Sequence, residues 1–160
     1  MDEPRWLDER ENRAWRGYRR MRRLLDLELA RELMQDAGLS EPDYDVLSDL
    51  SETPDQRLRL SELADRMLWS RSRLSHHLTR MQQRGLVTRE ECPSDGRGAF
   101  VVLTPAGRRA IEAAAPGHVD AVRRHLIDLL TPEEIEALGA LTHRVVDRLT
   151  AGRRTNPAEV

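Results

Sequence analysis

The stretch Leu60–Leu103 constrains this chain more than any other, because it reads as helix, turn, helix and hairpin with a one-sided charge. Ser61-Glu62-Leu63-Ala64-Asp65-Arg66-Met67-Leu68 has the pattern of a short amphipathic helix. Trp69-Ser70 is a natural restart. A second helix then runs over Arg71–Gly85, with Leu74, Leu78 and Met81 at i, i+4 and i+7. That spacing leaves Arg71, Ser72, Ser75, His76 and Thr79 facing outward. Their hydroxyls, imidazole and guanidinium suit base edges and phosphates. Between Arg66 and Arg89 stand six arginines and no acid, in a chain of formal net charge −2. Positive charge gathered on one helix of a near-neutral chain points to a polyanion.

The clustering matters more than the arginine count, since all 26 basic residues are arginine and none is lysine. A charged fraction of 34% against 39% hydrophobic suits helices with wide solvated faces. A length of 160 residues allows one substantial core, or a small domain with long helical extensions. The single Cys92 excludes an internal disulfide framework and a cysteine-rich metal site. The charged opening Met1-Asp2-Glu3-Pro4-Arg5 and the lack of a bilayer-length apolar run predict a cytoplasmic protein with no membrane contact.

Residues from about Leu7 to Ala37 read as one long helix closed by Gly38, with the stripe Trp15, Tyr18, Met21, Leu25, Leu29, Leu33. Some thirty helical residues span about 45 Å, more than a domain of this size needs for its own core. Ser40-Glu41-Pro42-Asp43 opens a shorter helix through Leu50. Arg57-Leu58-Arg59-Leu60 can supply a strand. Leu86–Glu91 and Ala99–Leu103 read as a hairpin around Pro93-Ser94-Asp95-Gly96-Arg97-Gly98. Thr104-Pro105 caps a helix from Ala106 to about Leu130, with a seam at Ala115, Val119, Val122, Leu126 and Leu129 and an expected kink at Pro116-Gly117. Thr131-Pro132-Glu133-Glu134 opens the last helix, which presents Ile135, Leu138, Leu141, Val145 and Leu149.

Four segments in order carry a family resemblance: Arg59-Leu60-Ser61-Glu62-Leu63-Ala64, Arg84-Gly85-Leu86-Val87, Asp95-Gly96-Arg97, and Leu103-Thr104-Pro105-Ala106-Gly107-Arg108. With them the chain resembles the MarR family, winged-helix regulators named for multiple antibiotic resistance. The resemblance implies a mainly α (α+β) fold, a winged helix-turn-helix with long terminal helices forming a dimerisation platform. The expected division is 1–38 dimerisation helix, 39–104 DNA-binding domain, 105–150 C-terminal dimerisation helices and 151–160 a disordered tail. It implies a homodimeric repressor on a palindromic operator in double-stranded DNA, released when a small-molecule effector or an oxidant binds. By position, Ser70, Arg71, Ser72, Arg73, Ser75, His76 and Arg80 match the helix that enters the major groove. Arg97 matches the wing-tip arginine of the minor groove, and Asp95 the acid that orients it. A guanidinium at a glycine-flanked tip suits the enhanced negative potential of that groove. Within the reading helix, Ser72, Arg73, Ser75 and His76 are expected to carry base discrimination.

The remaining candidates divide between function and packing. Trp15 and Tyr18, with Arg19 or Arg22, could line a pocket for an aromatic acid, although the apolar stripe predicts core or dimer contacts for both rings. His76 and His77 point about 100° apart on a helix and cannot readily share one ion. His118 and His125, seven residues apart, need a third ligand to form a site, which keeps a zinc-responsive regulator of the same fold as the alternative. Cys92 reads as incidental. No metal or other cofactor is expected. No spacing supplies a nucleophile, base or metal constellation, so an enzyme is not expected. A helical protein–protein adaptor explains the long helices but not the charged hairpin.

Overall fold

The computed structural model describes residues 4–91 and 98–154; Cys92, Asp95 and Arg97 lie outside the described residues. Helix α1 spans Glu9–Ala37. It starts two residues later than the apolar pattern suggests, because Asp8 and Glu11 cap one another: the Glu11 amide donates to Asp8 Oδ1 at 2.7 Å and the Asp8 amide to Glu11 Oε2 at 2.9 Å. Gly38, at φ 64°, turns the chain out of the helix as expected. Helix α2 spans Glu41–Ser51, capped by Ser40, and buries Val46, Leu47 and Leu50.

Strand β1 (Arg57–Arg59) leads into α3 (Leu60–Arg66), then α4 (Arg71–Gln83), β2 (Val87–Glu91) and β3 (Ala99–Leu103). The antiparallel sheet has the order β1-β3-β2, with Val101 paired to both Leu58 and Arg89. Its inner face, with Leu58, Val87, Val101 and Leu103, closes over Leu63, Leu74, Leu78 and Met81 from the two helices. This places α4 with one side in the core and the other in solvent.

Helix α3 is shorter than its sequence pattern. It ends at Arg66, and Leu68 takes the left-handed conformation at φ 55° while the Trp69 amide donates to Ala64 O at 2.9 Å. That closure is the six-residue bond of a Schellman turn, usually built on glycine. A non-glycine residue there costs about 1–2 kcal/mol.

Helix α5 spans Pro105–His125, a 3-10 turn covers Ile127–Leu129, and α6 spans Pro132–Arg154. Helix α5 stops short of Leu130 because Leu126, at φ −139°, leaves the helical region. It continues through Pro116 without interruption. Within the protomer α5 buries Gly107, Ile111, Ala114 and Ala121; of the expected seam, Ala115, Val122 and Leu126 are half-buried and Val119 and Leu129 exposed. Small residues on the buried stripe let α5 approach its neighbours closely. Capping of α6 is as predicted, with the Thr131 amide on Glu134 Oε2 at 2.8 Å and the Glu134 amide on Thr131 Oγ1 at 3.3 Å. The helix extends past the expected tail boundary at 151 to Arg154.

Two halves of α1 differ. Leu33 is buried near its C-terminal end, where the helix packs on α5, while Trp15, Tyr18, Met21 and Leu24 are exposed. No α6 side chain is buried among the described residues.

Gly107 sits where α5 crosses the turn between α4 and β2. A Cβ there would meet Leu86 O at 2.1 Å and Leu103 Cδ1 at 2.9 Å. Because the nearer obstacle is backbone, Gly107→Ala is expected to destabilise the chain by about 1–3 kcal/mol, checked by urea unfolding.

Candidate nucleic-acid interface

Helix α4 begins at a cap. Ser70 Oγ accepts from the Arg73 amide at 3.2 Å, so its hydroxyl oxygen already serves the helix. Leu74, Leu78 and Met81 have no exposed surface. At 3.6 residues per turn, this centres the opposite face on Ser72, His76, Thr79 and Gln83. Arg71 and Ser75 stand on one flank and Arg73 and Arg80 on the other. Ser72, Arg71, Arg73, His76, Thr79 and Arg80 are exposed and Ser75 is half-buried. The first turn holds no acid.

A network under the second flank fixes the helix. Arg73 Cζ lies 3.7 Å from the centre of the Trp69 ring, and that ring meets His77 edge-on at 5.6 Å and 84°. His77 is 6% exposed and Asp43 4%. The imidazole Nδ1 lies 3.1 Å from Arg80 Nη2, and Nε2 lies 3.1 Å from Asp43 Oδ1 without hydrogen-bond alignment. Arg84 donates through Nη1 to Asp43 Oδ2 at 2.7 Å and through Nη2 to Gly38 O at 2.8 Å. One guanidinium thus clamps the end of α4 to the α1–α2 junction. On the first flank, Arg89 of β2 donates to Ser75 O and, at 3.2 Å, to Thr79 Oγ1. The wing sheet and α4 are joined by that contact.

These contacts set the protonation states. Burial alone would raise the Asp43 carboxyl, but the Ser40 and Arg84 hydrogen bonds outweigh it and hold Asp43 below the ordinary range. Burial is the largest influence on His77 and pushes the imidazole below its ordinary value; Asp43 opposes this and Arg80 and Arg84 add to it. His77 is therefore neutral at neutral pH.

The two histidines of the pair face different environments, His76 in solvent and His77 in the interior. His118 meets Tyr44 with the ring centres 4.3 Å apart and the planes tilted by 38°, whereas His125 Nε2 lies 2.7 Å from Glu32 Oε1. Hydrogen bonds from Arg124 and His125 pull Glu32 down to about 2. Among the described residues no group of three or more His, Cys, Asp or Glu is arranged to hold a metal ion. Trp15 and Tyr18, 49% and 48% exposed, stack on one another at 5.8 Å, with Arg19 6.0 Å from the Trp15 ring. Together with exposed Arg22 they occupy the open half of α1. An open depression of about 410 Å³ on this half is lined by Arg16, Arg19, Arg20, Arg23 and Leu24, and so takes in Arg19 but neither ring. A smaller cavity, about 40 Å³, lies further along α1, lined by Leu33, Asp36, Ala114 and His118 among others.

Asp43 and Trp69 escaped the sequence reading as functional residues. Asp43 has the spacing of a capping acid from Ser40, which conceals its second role toward α4. Trp69 was legible only as part of a restart.

The His77 shift predicts a pH dependence. The unfolded imidazole titrates near about 6.5, and the folded one lower. Below that value the unfolded state binds more protons, so stability falls as pH drops toward the folded pKa. Thermal melts between about pH 7 and 5 should show a falling midpoint that flattens in His77→Gln.

Comparison with known proteins places this geometry among regulators. Residues 37–98 match the model described as MarR family. The transcriptional regulator HosA of Escherichia coli O111:H- is 30% identical over 133 residues, 82% of this chain and 96% of the relative. AbsC, a MarR family transcriptional regulator from Streptomyces coelicolor, has a similar structure at TM-score 0.88 and 43% identity, covering 92% of this chain and 99% of its own. Sco3205, a MarR family transcriptional regulator from the same organism solved in complex with DNA, gives TM-score 0.89 and 46% identity, covering 93% of each chain.

Proposed function

Because the chain belongs to the MarR family of transcriptional regulators, we propose that it acts as a homodimeric repressor that binds a palindromic operator through α4 and the wing. The observation that carries this reading is the exposed face of α4, free of acids and flanked by Arg71, Arg73 and Arg80. Ser72, Arg73, Ser75 and His76 take base discrimination, and Ser70, Arg71 and Arg80 the phosphate register. Arg97, steered by Asp95, takes the minor groove; both residues lie outside the described ones. The reading divides the chain into a dimerisation helix over 1–38, a DNA-binding domain over 39–104 and dimerisation helices over 105–150. A small molecule relieves repression, as the family resemblance implies, and an aromatic acid suits apolar walls with a few polar groups.

DNA contacts of different kinds are separable by salt and sequence. Arg97→Ala should weaken operator and scrambled duplexes alike and reduce the salt slope by about one unit. Arg73→Ala should cost about 1–3 kcal/mol on the operator and relax preference at one position. Fluorescence anisotropy across a salt series checks both. If neither variant changes affinity, α4 does not face DNA.

The dimer reading rests on apolar surface that one protomer leaves open: Trp15, Tyr18 and Met21 on α1, and Leu141, Val145 and Leu149 on α6. A second copy covering both helices also supplies the second half-site, about one helical turn of DNA away. Light scattering should give twice the chain mass at micromolar concentration. A folded monomer under those conditions contradicts the reading.

A further inference from the structure

We propose that Trp69 is a positioning residue for operator recognition: its indole face, braced edge-on by His77, holds the Arg73 guanidinium in one orientation, and operator preference depends on that stack. The inference rests on the reading that α4 enters the major groove. An arginine side chain has several rotatable bonds and loses entropy when a partner fixes it. Here the loss is incurred before binding. The guanidinium carbon lies 3.7 Å from the ring centre, the Arg73 amide is tied to Ser70 Oγ at 3.2 Å, and the indole itself is backed by a buried imidazole.

The guanidinium carbon sits over the indole ring at van der Waals distance, and a guanidinium stacked there by its face keeps its edge N–H donors available. Those donors form the fork that pairs with two acceptors at once, on a guanine edge or a phosphate. A lysine at position 73 carries the same charge but no plane to stack and no fork. Among the described residues no acid lies in the first turn of α4 to draw the arginine away. Trp69 stands just ahead of Ser70, so the cap and the platform fix backbone and side chain together.

The test uses the full chain and two duplexes: one selected by the wild-type protein from a randomised pool, and its scrambled version. Trp69→Leu should lower affinity for the selected duplex about three- to tenfold, the equivalent of one side chain left to be immobilised on binding. Affinity for the scrambled duplex should be unchanged. Trp69→Phe, which keeps an aromatic face, should restore most of the preference, and Arg73→Lys should lose it. In an Arg73→Ala background, Trp69→Leu should have no further effect. A folded Trp69→Leu that keeps full preference, or loses the same factor in the Arg73→Ala background, overturns the proposal. If Trp69→Leu does not fold, full preference in Arg73→Lys overturns it equally. Ser72→Ala and His76→Ala separate the two levels of the argument. Preference lowered by these but untouched at positions 69 and 73 rejects the platform alone; preference untouched by all of them rejects the reading of α4.

Discussion

The orientation of α4 depends on one buried carboxylate. Asp43 belongs to the first turn of α2, where it closes the capping box with Ser40, and the same side chain receives Arg84 from the far end of α4. A buried ion is tolerated only when well paired, and removing one partner leaves an uncompensated charge. Here the partners come from α2 and α4, and Arg84 also holds the carbonyl of Gly38 at the end of α1. Three helices therefore share one electrostatic constraint. A shift of α1 relative to the core would strain contacts that reach the reading helix through a single side chain.

The arginine cluster has two populations. Arg66 pairs with Glu62 at 3.1 Å, Arg84 with Asp43 and Arg89 with the carbonyl of Ser75, all within the protomer. Arg71, Arg73 and Arg80 remain on the solvent side of α4. Local absence of acids is thus only partly a signal for a polyanion. Some of those arginines find acids or carbonyls brought near by the fold, a distinction that spacing along the chain does not contain.

Much of the architecture was legible because its signals are local. Ser40, Thr104-Pro105 and Thr131 with Glu134 mark helix starts through bonds spanning three residues, and Leu74, Leu78 and Met81 declare the buried side of α4 by period alone. What was not legible required tertiary information. The stripe that α5 buries within the protomer, Gly107, Ile111, Ala114 and Ala121, went unread because close packing favours small residues that a search for large apolar groups passes over. Leu68 occupies a conformation normally given to glycine, so nothing in its type ends the helix at Arg66. His77 differs from His76 only by what packs on it, and Trp69 acquired a partner through the turn that Leu68 makes.

Helix α6 has 23 residues, and no side chain of it is buried among those described. With only Leu138 and Gly139 half-buried, the helix is held largely by backbone propensity and its cap. In water such a segment is marginal, a mixture of helix and coil whose balance shifts with temperature. The capping bonds at Thr131 favour the first turn, leaving the C-terminal turns free to fray. The helical length of this segment is therefore set by whatever covers its apolar stripe. Its ellipticity is a property of the surroundings as much as of the sequence.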